Sequence, residues 1–544
     1  MKKGTKIALW VVGCIVGFVA IALITINLWA SSVVHKKISE SLANVPEMDV
    51  SIGRVNLLLV SGSAIVTDIH FATCSFAHKN DTDEIPLKPG LRVDIPMLTV
   101  GPVNYISLLR QKELHIFNVS VNDPKITVYL NEKHPEKCFP ELPEDTTVKD
   151  PQQFLKYAAL SNFHLNNLSA HLKSLTSPLD LQVEGLSVAL NDLAYSLTDS
   201  VFQYNDSNYY LSLSSLVANL PDGISAAEVH DMETQDQGPL KLGYTRFRNT
   251  ISSLALADRM QEPTTWIDVE LKSLKTSPIN PIRKALTADY TLESLAVDVQ
   301  RMQVKRDSRY EPKKPFPTPQ QFLTKLPVVF DVKAVKAKVE KLDIEMYLQR
   351  ENCGEMHLKD MTATLKNVTN RKGATWSNKA HAPVGEKGEM DVVFDMHMDK
   401  NSTFNVQLSG KDIEGSFLNP FMRPLVGLTL DCQINSLDAK YSGDDKMSTG
   451  EYCLQYSGLH IEAHKEDKIP FSVVSKHADA ITSVANSLLT KSNPTVVDPA
   501  PRRYSVEWKR DEWKEYPLYI FGPCIIGTVQ TMLPGLYVHK QIRD

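Results

Sequence analysis

Apolar and polar residues alternate with a period of two along most of the chain from residue 50 onward. The segment VSIGRVNLLLVSGSAIVTDIHF, Val50–Phe71, has two alternating runs around Ser-Gly-Ser and predicts a β-hairpin. Such alternation is typical of antiparallel sheets with one apolar and one wet face. Further alternating sets follow, the clearest being Ile126/Val128/Leu130, Leu186/Val188/Leu190, Val335/Ala337/Val339, Met390/Val392/Phe394/Met396/Met398 and Phe404/Val406/Leu408.

A series of motifs occurs twice at nearly the same offset. VDIPMLTVGPVNYISLL and IDVELKSLKTSPINPIRKAL each run from a strand through a Pro-x-Asn turn into a short helix, and their asparagines, Asn104 and Asn280, are 176 residues apart. The later words DPQQFL and TPQQFL, starting at Asp150 and Thr318, are 168 residues apart. A weaker third copy of the first motif begins at Phe404. We therefore predict a repeating unit of roughly 170 residues.

The PQQFL words predict capped helices, because Asp or Thr precedes a proline at the first helical position. The glutamines in these motifs indicate no catalytic or binding role. The segments Glu132–Asp150 and Lys305–Pro319 are rich in proline and charge. They predict surface crossings between parts of a sheet rather than domain linkers.

The N-terminal segment Ile7–Trp29 contains 23 residues and no charge. As a helix it would span about 34 Å, enough for a hydrocarbon core of about 30 Å. A cleaved signal peptide has a shorter apolar region and a small-x-small site, which Leu28-Trp29-Ala30 fits poorly. We expect an uncleaved signal anchor, with lysines before it favouring a cytoplasmic N-terminus. Its representative residues are Ile7, Trp10, Phe18, Ile24 and Trp29.

The C-terminal part changes to helical spacing. Phe471–Leu489 has an apolar stripe that predicts a helix. Pro517–Leu533 is apolar, but it is short for a membrane span and contains Gly522-Pro523 and Gly527. We expect a packed or interfacial helix at the end of the sheet, with a second transmembrane helix as the alternative.

Composition and motifs exclude several classes of function. A net charge of -5 and a pI near 6.3 give no basic surface for nucleic acid. The chain has no GxSxG, HExxH, P-loop or strand-following GxGxxG. We therefore expect no enzyme, metal site or cofactor.

The seven cysteines lie in neither a CxxC nor a metal-ligand spacing. Cys432 and Cys453 flank a Ser-Gly-Asp-Asp turn and invite a cross-strand disulfide. Alternation, however, places their thiols on opposite faces of a regular hairpin. We predict free, buried cysteines.

The anchor followed by VSIGRVNLLLVSGSAIVTDIHF resembles the opening of AsmA-like proteins, the group that includes TamB. VDIPMLTVGPVNYISLLRQKELHIFNVSVNDPKITVYL resembles their recurrent strand, short helix and paired strands. The segments from LTLDCQINSLDAKYSGDDKM to EWKEYPLYIFG are similar to the end of the anchored members from Bacteroidetes-type bacteria. The resemblance implies an inner-membrane anchored, periplasmic chain whose sheet forms a long groove that carries phospholipids.

A physical argument supports the apolar groove. A sheet with an apolar face must either cover that face with a second layer of the protein or bind another apolar molecule there. We predict a mainly β fold: an elongated, repetitive antiparallel sheet curled into a groove, with few short helices and a helical C-terminal segment. A closed sandwich or twisted barrel is the alternative. The predicted divisions are an anchor (1–32), two groove repeats (33–200 and 201–370), a shorter β unit (371–470) and the helical segment (471–544).

In the groove interpretation, acyl chains are held by contact area alone, so no single residue carries the function. The predicted lining residues are Val128, Val188, Val339, Val392, Phe394 and Phe404. The expected partners are phospholipid, the inner membrane and an envelope protein at the far end. The competing hypothesis is an envelope scaffold or assembly factor with a closed β core that carries no lipid.

Overall fold

A computed structural model describes residues 48–58, 62–73, 89–131, 156–196, 201–203, 205, 208–287, 290–464, 482–483 and 486–533. The described chain is mainly β, as predicted. Its strands are β1 Met48–Leu58, β2 Ser63–Thr73, β3 Gly90–Val100, β4 Glu113–Asn122, β5 Lys125–Leu130, β6 Tyr157–Ser174, β7 Asp180–Ser196, β8 Val201–Gln203, β9 Tyr209–Asn219, β10 Ser225–Gln235, β11 Pro239–Leu242, β12 Thr245–Asn249, β13 Thr264–Pro278, β14 Tyr290–Asp307, β15 Phe330–Gln349, β16 Asn352–Thr369, β17 Thr375–Val384, β18 Gly388–His397, β19 Phe404–Glu414, β20 Leu428–Gly443, β21 Met447–Ala463 and β22 Arg503–Lys509.

The helices are few and mostly short. They are α1 Tyr105–Gln111, α2 Ser253–Met260, α3 Pro281–Thr287, α4 Pro319–Leu323, α5 Asn419–Val426 and α6 Tyr516–Met532. The chain divides into two compact units, unit 1 with residues 1–245 and 278–288, and unit 2 with residues 246–277 and 289–544. The predicted boundaries at residues 200, 370 and 470 fall inside these units.

In unit 1, β1 and β2 form the predicted hairpin, and β3 pairs antiparallel with β2. β3 also pairs antiparallel with both β4 and β5. β4 and β5 then pair parallel with β6. From β6 the pairing is antiparallel again, through β7 and β9 to β10.

Unit 2 has the same alternation of pairing types. β13 pairs antiparallel with β14, and β14 pairs parallel with β15. From β15 to β22 each strand pairs antiparallel with the next. The expectation of a purely antiparallel sheet is therefore wrong, because a parallel pair occurs in each unit.

The parallel pairings occur at the two predicted crossings, where β6 joins β4 and β5 and where β15 joins β14. Residues 131–156 connect β5 to β6, and residues 308–329 connect β14 to β15. Parallel neighbours need a connection of a dozen or more residues, whereas antiparallel neighbours need only a tight turn. The predicted repeat therefore corresponds to strand, short helix, strand, crossover and long hairpin.

The repeated words have the local structure expected of them. Asn104 caps α1 by accepting hydrogen bonds from the N–H groups of Ile106 and Ser107 at 3.1 and 3.2 Å. Asn280 precedes α3 and accepts from the N–H of Arg283 at 2.9 Å. The third copy forms β19, a 3-10 turn, α5 and β20.

The second PQQFL word forms α4, with a capping box between Thr318 and Gln321 and a proline in the first turn. This confirms the predicted capped helix. The first PQQFL word lies outside the described residues.

Each unit has one cluster of fully buried apolar side chains among its described residues. In unit 1 the cluster joins β1 to β4 and includes Ile52, Val66, Leu98 and Val121. In unit 2 the cluster joins β17 to β22 with α6, and it includes Phe404, Tyr441, Tyr452 and Tyr519. The candidate site lies on other strands, β5, β6, β7 and β9 in unit 1 and β14, β15 and β16 in unit 2.

Candidate functional site

The candidate site in unit 2 is the apolar side of β14, β15 and β16. The register aligns Val297 with Ala337 and Ala363, and it aligns Val299 with Val339 and Met361. Side chains at directly paired positions lie on one side of a sheet, so apolar residues form continuous rows across the three strands.

The face continues past a change in spacing. Val339 and Leu342 are three residues apart on β15, as are Met361 and Leu358 on β16, and strict alternation would place each pair on opposite sides. Asp360, between the β16 residues, has a left-handed backbone with φ 52°, a conformation that Asp tolerates. Leu358 packs against the same core as Val392 and Phe394, which places both sides of the shift on one face.

We call this surface the open face. It consists of Leu295, Val297, Val299, Met302 and Val304 on β14, Val335, Ala337, Val339, Leu342 and Ile344 on β15, and Met356, Leu358, Met361, Ala363 and Leu365 on β16.

The open face is apolar but not sealed. All of its side chains except Val299 are partly exposed. A packed protein core of this size contains side chains that are almost completely buried. The open face therefore keeps apolar area available for contact with another molecule.

The opposite side of the same strands is ionic. Asp343, only 3% exposed, lies 2.7 Å from His357 Nδ1, 3.2 Å from Arg301 Nη2 and 3.4 Å from Lys341 Nζ. Burial raises the pKa of Asp343, but the hydrogen bonds from His357 and Arg301 outweigh burial and hold it below the ordinary value. Lys305 and Glu345 add a second cross-strand pair at 3.0 Å. The two sides are thus as different as the alternation predicted.

Unit 1 has a corresponding surface on β5, β6, β7 and β9. Val128 aligns with Leu172, which aligns with Leu181 on β7. Val188 aligns with both Leu165 and Leu211. These six side chains are partly exposed. The apolar rows of the two units are therefore built in the same way.

The six predicted lining residues occupy different environments. Val128 and Val188 lie on the surface of unit 1, and Val339 lies in the middle of the open face. Val392 and Phe394 continue that face through β17 to β18, where they are half-exposed and pack against the core of unit 2. Phe404 is only 1% exposed, so it is part of that core and does not line an exposed surface.

We call the β18–β22 part of this face, with α6 on it, the closed region. The Phe404 ring packs edge-to-face on Tyr519 at 5.7 Å between centroids and lies 6.1 Å from Phe394. α6 approaches closely because it has no side chain at two contacts, Gly522 against Trp508 and Gly527 against Tyr452. α5 makes a similar contact at the edge of the open face, where Gly354 faces Leu425.

The sequence did not indicate that α4 packs against one end of strands β16 to β19. Its N-cap Thr318 is fully buried and hydrogen-bonded to the buried Ser402 hydroxyl at 2.8 Å. Asn370 donates to the carbonyls of Leu323 and Val328, just after the helix. The sequence shows the capping signal, but the residues that α4 and the chain just after it contact are 42 to 84 residues away along the chain.

The cysteines that can be described are free. Cys432 and Cys453 are buried, while Cys353 and Cys524 are half-buried. Burial raises the pKa of Cys432 and Cys524 to about 11. The prediction of no disulfide between Cys432 and Cys453 is confirmed, and Cys14, Cys74 and Cys138 lie outside the described residues.

The side chains of the open face are all apolar. Within the part of the chain that the structure describes, no three His, Cys, Asp or Glu side chains are grouped to hold a metal ion. Among the same residues no helix is long and apolar enough to cross a membrane. The predicted anchor residues, Ile7 to Trp29, lie outside them.

A comparison of the chain with known protein families, curated proteins and solved structures gives no match in any of the three.

Proposed function

We propose that this protein binds the acyl chains of phospholipids along the open face and along the corresponding surface of unit 1. The observation that supports the proposal is the run of partly exposed apolar side chains across β14, β15 and β16. A polar ligand would gain nothing there, whereas each methylene removed from water gains about 0.8 kcal/mol.

Binding through apolar contact area alone suits the transport of a lipid better than its tight retention. An acyl chain that leaves a bilayer exchanges one apolar environment for another, so the net free energy change is small. A surface without directional contacts also presents few barriers to movement along it. The function proposed is therefore binding and conduction of lipid, without catalysis or a cofactor.

The proposal also includes the cellular location of the protein. The sequence of the N-terminal segment favours a membrane anchor, and the resemblance to AsmA-like proteins implies a bacterial inner membrane with the bulk of the chain in the periplasm. The resemblance to AsmA-like proteins implies a recurrent strand and short helix, and the chain repeats the order of strand, short helix, strand and crossover. In this setting the sheets would form grooves that carry phospholipid between envelope membranes and maintain outer-membrane lipid balance.

One observation favours the alternative of an envelope scaffold without lipid. The closed region shows that this chain can seal the same apolar face with its own helix. A scaffold would use the open face only as a partly covered core. The two functions differ in whether lipid occupies that face.

The test compares two variants of the full chain. Val339→Asp places a carboxylate in the middle of the open face, and the matched control Thr362→Asp places one on exposed β16 beside Lys338, on the opposite side. Burying a carboxylate against acyl chains is strongly unfavourable. Each variant is purified and extracted with organic solvent, and phospholipid per chain is measured.

We expect Val339→Asp to retain at most about half of the phospholipid retained by Thr362→Asp, since one of two comparable apolar surfaces is lost. Equal amounts in the two variants, with both folded by circular dichroism, would favour the scaffold.

A further inference from the structure

The helix of the closed region, α6, is apolar on more sides than the sheet can cover. Its 17 residues contain no charged side chain. One side, with Tyr519, Gly527 and Met532, is buried against β21 and β22. A helix that is apolar all round is normally buried all round. We therefore expect another apolar molecule to cover the exposed side of α6.

The uncovered side forms a straight stripe. Leu518, Phe521, Ile525 and Val529 are all exposed, with Phe521 at 50%. Their spacing of three, four and four residues places them along one line of the helix. Trp513 is exposed just before the helix begins.

A loop next to the end of α6 is also apolar at its tip. Val496 and Val497 are 102% and 94% exposed, so they contact almost nothing in the protein. The loop begins at the buried Asn493, whose side-chain oxygen accepts from the N–H of Arg502 at 3.1 Å. Thr490, three residues before Asn493, donates its N–H to the Met532 carbonyl, at the C-terminal end of α6, at 3.0 Å.

Charge around this loop indicates which partner fits. Lys491, Arg502 and Arg503 give three positive charges against one negative charge from Asp498. Protruding apolar residues with basic neighbours and an exposed tryptophan are typical of a surface that enters the interface of an anionic bilayer. A protein partner would need a pocket shaped for two projecting valines, whereas acyl chains accommodate any apolar projection.

We propose that the α6 stripe and the Val496–Val497 tip together form a contact surface for an anionic lipid bilayer. The surface holds unit 2 against a membrane by shallow insertion. It is independent of lipid on the open face, since its residues lie on α6 and the loop.

The test uses the full chain with a benzophenone amino acid in place of Phe521. Phe322 is replaced in the same way as a matched control, because it is an exposed phenylalanine on α4 of the same unit. Each protein is mixed with vesicles of phosphatidylglycerol and phosphatidylethanolamine, irradiated and analysed by mass spectrometry. The readout is the yield of phospholipid adduct at the substituted position.

We expect a yield at position 521 about tenfold above that at position 322, reduced severalfold by V496D/V497D and by replacing the anionic lipid with phosphatidylcholine. Equal yields at 521 and 322 would overturn the proposal. So would crosslinks from 521 to residues 465–481 or to a second copy of the chain. An undiminished yield in V496D/V497D would also contradict it. Val339→Asp should leave the yield at 521 unchanged, which separates this surface from the lipid-binding role of the open face.

Discussion

The open face and the closed region of unit 2 are made from the same kind of strand but differ in what covers them. Val339 and Val406 both belong to period-two apolar sets and lie on one continuous side of the sheet. Val339 is partly exposed, whereas Val406 is buried in the core that also contains side chains of α6. The pattern of a strand thus specifies which side is apolar, and a distant part of the chain decides whether that side is sealed.

The largest loss of stability should follow the removal of a large side chain from the closed region. Phe404→Ala deletes a ring packed between Phe394 and Tyr519, and we expect it to lower the free energy of unfolding by about 3–5 kcal/mol. Denaturant titration of the full chain, followed by near-UV circular dichroism, measures the loss. A loss below about 1 kcal/mol would mean that the closed region is not a packed core.

A second change tests the fit of α6 without touching the sheet. Gly527→Leu introduces a side chain where even a Cβ would collide with the Tyr452 ring. We expect a loss of about 1–3 kcal/mol from overpacking, with increased protease cleavage near α6. The control is Thr528→Ala at the next position, which removes one methyl group and a hydroxyl paired with Tyr452 but adds no volume. Stability equal to that of the control would contradict the close packing of α6.

Alkaline pH should weaken the closed region selectively. Burial raises the pKa of Cys524 to about 11 from an ordinary 9.0, despite an opposing hydrogen bond with Tyr441. Below pH 9 the thiol is neutral in both states. Between about pH 9 and 11 only the unfolded state ionises, so stability falls as the pH rises.

Thermal unfolding at pH 8 and pH 10.5 measures this effect, and Cys524→Ala provides the control. We expect the drop in Tm between the two pH values to be smaller in Cys524→Ala than in the unsubstituted chain. An identical drop would show that Cys524 does not contribute to the dependence.

The smallest effect should come from the open face itself. Val339→Ala removes two methyl carbons from a half-exposed position, so we expect a loss below about 1 kcal/mol. The same titration as for Phe404→Ala gives the value. A loss as large as that of Phe404→Ala would indicate that Val339 is sealed in a core, and it would erase the contrast between the two regions.

Local features of the fold could be predicted from the sequence because they depend on neighbouring residues. Alternation identified the strands around Val128, Val188 and Val339, and the word TPQQFL identified the capped helix at Thr318. The shift at Asp360 was not foreseen, since a left-handed residue within a strand leaves no periodic signal.

Long-range features could not be predicted in the same way. The parallel pairing of β14 with β15 depends on where a 22-residue crossover returns, and alternation is identical in parallel and antiparallel neighbours. Phe404 was expected to line an exposed surface, but its burial depends on α6, more than 100 residues later. The sequence thus predicted which side of the sheet is apolar. It did not predict which part of that side is covered by α6 and which part stays open.

The most direct test of lipid on the open face is photo-crosslinking from within it. A diazirine-bearing aliphatic amino acid replaces Val339 in one full-length chain and Val406 in another, and each chain is irradiated in phospholipid membranes. We predict phospholipid adducts at position 339 and only internal protein crosslinks at position 406. Internal crosslinks at both positions, with no lipid adduct at 339, would contradict the account.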